Sequence, residues 1–273
     1  MDSLLRKNKG ITLIELLVAL VITGILVGAI YRTFIGQQKT YTVQEQVVDT
    51  QQNVRAAINR MMAEIRMAGF GSVSMVLPVT IGGKTFNDVV NPNTPVAGSV
   101  TILSGMGSTT LTAVPASNQI TVNSLTDSQG NTLFDTGDRK YVSIGGVESF
   151  AITNIAGNTL TLSGTLTYSH AAGTMIYGIR AVSYWVDGTL TLLRDENMGA
   201  GGQPLADNIE ALQFVYFRDD GITQTVNPPD IRIVQVTLRG RTNDPDPQYK
   251  TDAGYRKRQI ASNIHLRNMG LGL

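Results

Sequence analysis

A single carboxylate stands in an otherwise uncharged apolar run. Residues 11–31 read Ile-Thr-Leu-Ile-Glu-Leu-Leu-Val-Ala-Leu-Val-Ile-Thr-Gly-Ile-Leu-Val-Gly-Ala-Ile-Tyr, and Glu15 is their only charged side chain. Placing an acid among leucines in a membrane costs several kcal/mol, so such a group asks for a partner. The run offers no basic side chain. Cutting the chain between Gly10 and Ile11 would supply the missing cation, because Ile11 then carries a free ammonium four residues before Glu15. The same ammonium on a neighbouring copy could answer the carboxylate. Either charge buried alone is costly, whereas a pair of good geometry is tolerated. The alternative is a plain signal anchor whose Glu15 reaches water at the headgroups.

The element that must position this acid is a helix. The run holds 21 residues, about 31 Å of helix, which matches the hydrocarbon thickness of a bilayer. Arg6, Lys7 and Lys9 precede it against one acid, Asp2, and the positive-inside rule then puts the N-terminus in the cytoplasm. Gly28-Ala29-Ile30-Tyr31 is a poor secretory cleavage site,.

The basic leader ending in Gly10, then Ile11 and Thr12-Leu13-Ile14-Glu15-Leu16 before an apolar helix, resembles the type IV prepilin signature. Ile11 stands where most such proteins carry Phe. The resemblance implies cleavage between Gly10 and Ile11 by a prepilin peptidase and N-methylation of Ile11. It also implies packing into a helical filament, with Glu15 as the assembly residue.

Beyond the span, Val43, Val47, Val54, Ile58, Met61 and Ile65 recur at helical spacing with Thr50 in the gap, predicting an amphipathic continuation to about Met67 that lays its stripe on a head. Gly69 and Gly71 offer a stop,. Gly24, Gly28 and Gly36 weaken the upper helix,. The stretch from Ser72 to Ser117 reads as loop, with one strand at Ser99–Leu103. Further strands are expected at 119–123, 140–144, 150–155, 159–162, 175–185, 190–194, 211–218 and 232–239. Asp187-Gly188 and Gly157-Asn158 mark tight hairpins,. The expected fold is α+β, a long N-terminal helix on a mostly antiparallel sheet. Its parts are a leader (1–10), a transmembrane or filament-core helix (11–35), an amphipathic half (36–68) and a head (69–273) with a β-rich insertion (137–173).

The order Ile179-Arg-Ala-Val-Ser-Tyr-Trp185, Leu193-Arg194-Asp195, Pro204 through Tyr216 and Ile231 through Arg239 resembles the PilW-type minor pilins. These are related to the J-type minor pseudopilins of type II secretion. The resemblance implies a subunit that primes pilus assembly at the inner membrane, with other minor pilins, the major pilin and the assembly machinery as partners. A type II secretion pseudopilin, or a tip adhesin or DNA-binding module using the insertion, remains the alternative.

Composition narrows the chemistry. With no cysteine, thiol catalysis and disulfides are excluded,. His170 and His265 lie in no nucleophile motif, and Gly199-Ala-Gly-Gly202 lacks the Lys-Ser/Thr of a phosphate loop,. Neither an enzyme nor a cofactor is expected. Asp219, Asp220, Asp244 and Asp246 offer oxygen ligands but no full calcium shell,. Charge is uneven. Residues 71–230 carry 6 basic and 13 acidic groups, while 231–273 carry 8 and 3, which suits contacts between subunits. The basic tail has only Tyr249 and Tyr255 as neighbouring aromatics, so nucleic acid is not an expected partner.

Overall fold

The computed structural model describes residues 11–71 and 76–269. The leader, including Gly10, lies outside the described residues. Helix α1 runs Leu13–Arg66 and is the only long helix among them. The chain divides into two compact units, one ending at Val48 and one starting at Asp49.

In the described part of the first unit the chain is helical from Leu13 onward, and α1 is long and apolar enough to cross a membrane. Its leucines, isoleucines and valines are exposed from Leu13 to Ile30, as expected of side chains whose solvent is lipid or other helices. The hydroxyls of Thr33, Thr40 and Thr42 donate to the carbonyls of Ala29, Gly36 and Gln38 at 3.0–3.1 Å. These polar groups therefore need no partner outside the helix. Gly24, Gly28 and Gly36 leave open space where a side chain would stand and do not interrupt the helix.

In the second unit the last turns of α1 bury Thr50, Val54, Ala57, Ile58, Met61, Glu64 and Ile65. The strands are β1 (Val79–Ile81), β2 (Lys84–Phe86), β3 (Val90–Pro92), β4 (Val100–Thr110), β5 (Gln119–Thr121), β6 (Tyr141–Ile144), β7 (Glu148–Ala156), β8 (Thr159–Leu162), β9 (Met175–Val186), β10 (Leu192–Asp195), β11 (Gln203–Ala206), β12 (Ile209–Phe217), β13 (Ile233–Arg241) and β14 (Lys257–His265). Every pairing is antiparallel. β9 is the spine of the larger sheet. β10 and then β6 pair along one of its edges, and β4 runs along the other with β3 beyond it. A separate sheet has the order β12-β13-β14.

The main core joins α1 to both sheets, with Val54, Ile58, Met61 and Ile65 against Val182, Tyr184, Val234, Val236 and Leu238. Burying such side chains contributes about 1.5–3 kcal/mol each. Gly240 on β13 permits the close seat, since a Cβ there would lie 2.6 Å from Val54 Cγ2 and 3.1 Å from Thr50 Cγ2. A second core, containing Leu111, Ile120, Phe134, Val142, Leu160 and Ile176, lies under β5 to β8. The β-rich stretch 137–173 thus shares its interior with residues before it.

The structure corrects the reading of 72–117 as mostly loop. Its described part holds β1 to β4, with Gly82 and Gly83 at positive φ turning β1 into β2. β4 continues past Leu103 to Thr110 through a register shift between Gly105 and Ser108. Gly157-Asn158 forms the expected two-residue turn, with Ala156 opposite Thr159. Asp187-Gly188 does not. Val186 pairs with Leu192, and the Asp187 carboxylate accepts the N–H groups of Thr189 and Thr191, both at 2.9 Å, which winds the link into a five-residue loop,.

Candidate functional site

The acid singled out by the sequence sits in the first turn of α1. Thr12 precedes the helix, and its hydroxyl accepts the Glu15 N–H at 3.3 Å while Glu15 Oε2 accepts the Thr12 N–H at 3.2 Å. The Thr12 hydroxyl also donates to Oε2 at 3.2 Å. This is a capping box, in which a side chain at each end satisfies an orphan backbone donor. A negative charge here also complements the positive end of the helix dipole. The sequence reading assigned Glu15 to association alone and missed this local role, whose signal was the Thr-x-x-Glu spacing. Ile11 and Glu15 are both exposed. Ile14, Glu15, Val18, Ala19 and Ile22 line a shallow groove along one helix face. The hydrogen bonds of Glu15 to described residues are local, to Thr12, and it sits there in an otherwise apolar strip.

Residues 5–31 match the family described as the prokaryotic N-terminal methylation motif. The methylation motif covers the basic leader, Gly10, Ile11, Glu15 and the apolar run, and it supports a type IV pilin-like or pseudopilin-like protein. It implies processing by a prepilin peptidase and assembly with other pilins. The apolar helix that carries the methylation motif is consistent with a membrane anchor. No curated protein and no solved structure matches the chain.

A second acid on α1 was not anticipated. Glu64 is buried, with 6% of its side chain exposed. Arg194 on β10 grips it with Nη2 2.8 Å from Oε1 and Nε 3.1 Å from Oε2. Arg60 stands 2.8 Å and Arg180 3.9 Å from Oε1, and the Tyr184 hydroxyl donates to Oε2. Burial alone would push the Glu64 carboxyl up. The bonds from Arg194 and Tyr184 and the charges of Arg194 and Arg180 outweigh it, holding the carboxyl below its ordinary value,. Burial, together with the Glu64 charge, raises the Tyr184 phenol. The cluster fastens α1 to the large sheet. A signal was present, since Thr50, Ala57 and Glu64 repeat every seven residues within the buried stripe.

The acidic loops are engaged locally. Asp220 accepts the N–H groups of Ile222 and Thr223 at 2.9 and 2.8 Å, together with the Thr223 hydroxyl. Asp246 accepts the Gln248 N–H at 2.9 Å and Arg256 Nη2 at 2.7 Å. These bonds hold both carboxyls below the usual range. Asp219 and Asp244 are exposed. No group of three or more His, Cys, Asp or Glu is placed to hold a metal among the described residues.

The tail's cations were expected to meet acids of adjacent subunits, but several find partners in their own head. Arg239 and Lys257 reach Glu210 at 2.9 and 2.7 Å, Arg256 reaches Asp246, and Arg241 lies over the Tyr255 ring at 4.1 Å. His265 is exposed. His170 is buried with Nε2 2.6 Å from Glu148 Oε1, tying the strand that starts β7 to the loop before β9.

Proposed function

We propose that the chain is a minor type IV pilin, a structural subunit that helps to prime pilus assembly and performs no catalysis of its own. The observation that carries this reading is the methylation motif over residues 5–31 with Glu15 in the first turn of the apolar helix. The order of segments from Ile179 to Arg239, with its likeness to PilW-type minor pilins, supports the minor-pilin assignment. Three cations against one acid before the span support an N-terminus in the cytoplasm and a head on the periplasmic side of the inner membrane,.

The proposed sequence of events begins with cleavage between Gly10 and Ile11 and methylation of the new amine. In a lone subunit Glu15 is held by its own Thr12. In the filament the ammonium of Ile11 on a neighbouring copy takes up the carboxylate, so the pair enters the apolar interior without net charge. Bilayer and filament core are both apolar, and the helix exchanges one for the other at little hydrophobic cost. Intact mass and N-terminal sequencing of the protein recovered from cells test the first step. A chain beginning at N-methylated Ile11 supports it. A chain that keeps Met1 to Gly10 in cells with an active prepilin peptidase overturns it.

A further inference from the structure

Among the described residues, the middle of β12 has an unpaired strand edge on the side away from β13. Its far end is closed by its own chain, where the Thr225 N–H donates to the Tyr216 carbonyl at 3.0 Å and the Arg218 N–H donates to Thr223 at 2.9 Å. Its near end is closed by the Ile209 N–H, which donates to the Leu190 carbonyl at 2.8 Å. Alternate residues of a strand direct their backbone groups to the same edge, and Tyr216 therefore fixes the direction of Phe214 and Leu212, away from β13. Leu212 and Phe214 have no hydrogen-bond partner on that edge among the described residues.

Their edge borders a groove of about 450 Å³ whose opposite wall is Asn93, Gly98 and Ser99 of the β3–β4 loop. None of the groove's lining residues is charged. Proteins blunt open edges with charge, proline or a bulge. Here the bulge lies between Ile209 and Ala211, and residues 212–216 contain neither proline nor charge. On the rim Val226 is 83% exposed, and Ile222 of the same hairpin is 82% exposed.

We infer that this groove binds a short, extended, uncharged polypeptide segment of a partner protein, which adds to β12 as a further strand. Backbone donors and acceptors at strand spacing are matched by another extended backbone. The neutral lining gives no attraction to phosphate, nucleic acid or an acidic lipid. Closure at both ends leaves room for a few residues, which disfavours the edge-to-edge pairing of two whole β12 strands. This inference does not depend on the reading of the N-terminal helix.

The test uses the full chain in detergent micelles and, as probe, a capped peptide of alternating valine and threonine. Amide exchange at Leu212 and Phe214 is expected to slow by roughly tenfold or more at millimolar peptide. The same peptide N-methylated at every residue, which leaves neither edge able to donate, is expected to give no protection. Val226→Glu puts a charge on the rim at an exposed position and is expected to abolish protection without unfolding the head. Absence of protection, equal protection by the N-methylated peptide, or unchanged binding to Val226→Glu would each overturn the inference. Protection of the same amides on concentrating the chain alone would assign the edge to a second copy and overturn it too.

Discussion

Replacing Glu64 with Gln keeps the shape of the buried side chain and removes its charge. Truncating one partner of a buried pair costs about 3–5 kcal/mol, because the other charge is stranded. Two features reduce that figure here. Arg194 retains Glu196 at 2.7 Å, although that carboxylate is 42% exposed, and Arg60 is exposed enough to return to water. The Gln carbonyl can also accept one of the two Arg194 bonds. A loss of about 2–3 kcal/mol remains, or roughly 30- to 150-fold in the unfolding equilibrium. Trp185, the only tryptophan, follows Tyr184 on β9 and reports on this site by fluorescence. Urea unfolding of the full chain in detergent measures the difference. A loss under about 0.5 kcal/mol would place the cluster with exposed ion pairs and refute the reasoning. The double variant Glu64→Leu with Arg194→Met is expected to cost less than the sum of the singles, since neither charge is then stranded. Acid gives a further check. The folded carboxyl sits below its ordinary value of 4.5, so its contribution is complete above that pH and is lost as pH falls through the folded value. The gap between wild type and Glu64→Gln should close over that descent.

Glu15→Val and Glu15→Gln are both expected to be cleaved and methylated yet to be depleted from sheared filaments. Normal incorporation of Glu15→Gln, which can still cap Thr12, would move the role from charge to capping. Gly240→Ala should cost about 1–3 kcal/mol through the clash with Val54, with partial recovery in the double variant with Val54→Ala, both read by urea unfolding. Added Ca²⁺ is expected to leave the melting temperature unchanged, because Asp220 and Asp246 are already bonded within their loops; a shift of several degrees would place a site there. Excising 137–173 should unfold the region around Leu111, Ile120 and Phe134 as well, seen as lost amide protection, because one interior serves both stretches.

Much of the architecture was legible because its signals are periodic. The stripe from Val54 to Ile65 and the alternating strands around Met175 and Ile233 each bury a face, and burial repeats at the period of the element. The helix expected to reach Met67 ends at Arg66. What escaped was short, polar or glycine-rich. Val79-Thr-Ile-Gly-Gly-Lys-Thr-Phe86 carried a Gly-Gly hairpin signal, but three-residue strands bury too little to show a pattern. Gly105-Met-Gly-Ser108 reads as a break, although glycine is needed where Phe70 and Leu133 approach β4. Lys257–His265 is an edge strand with mostly exposed side chains, so its polar sequence carries no apolar alternation. At the site, Glu15 was visible because it breaks an apolar run. Glu64 was easily passed over because an acid on an amphipathic helix ordinarily faces water; its spacing from Thr50 and Ala57 puts it on the buried stripe, but its partners Arg194 and Tyr184 lie far away in sequence and could not be read from that spacing.

The turns of α1 after Asp49 supply one wall of the main core, so the head is an open shell without them. This sets a rule for exchanging parts. A soluble fragment that begins at Gly69, where the helix has ended, would leave Val182, Val234, Val236 and Leu238 uncovered and should aggregate. A graft of this head onto a foreign anchor must carry the borrowed turns with it, and the natural seam lies near Val48, well inside an unbroken helix. The head thus begins inside the helix that it shares with the apolar span, and a change at Val54 or Glu64 alters the folding of the head although it falls on that helix.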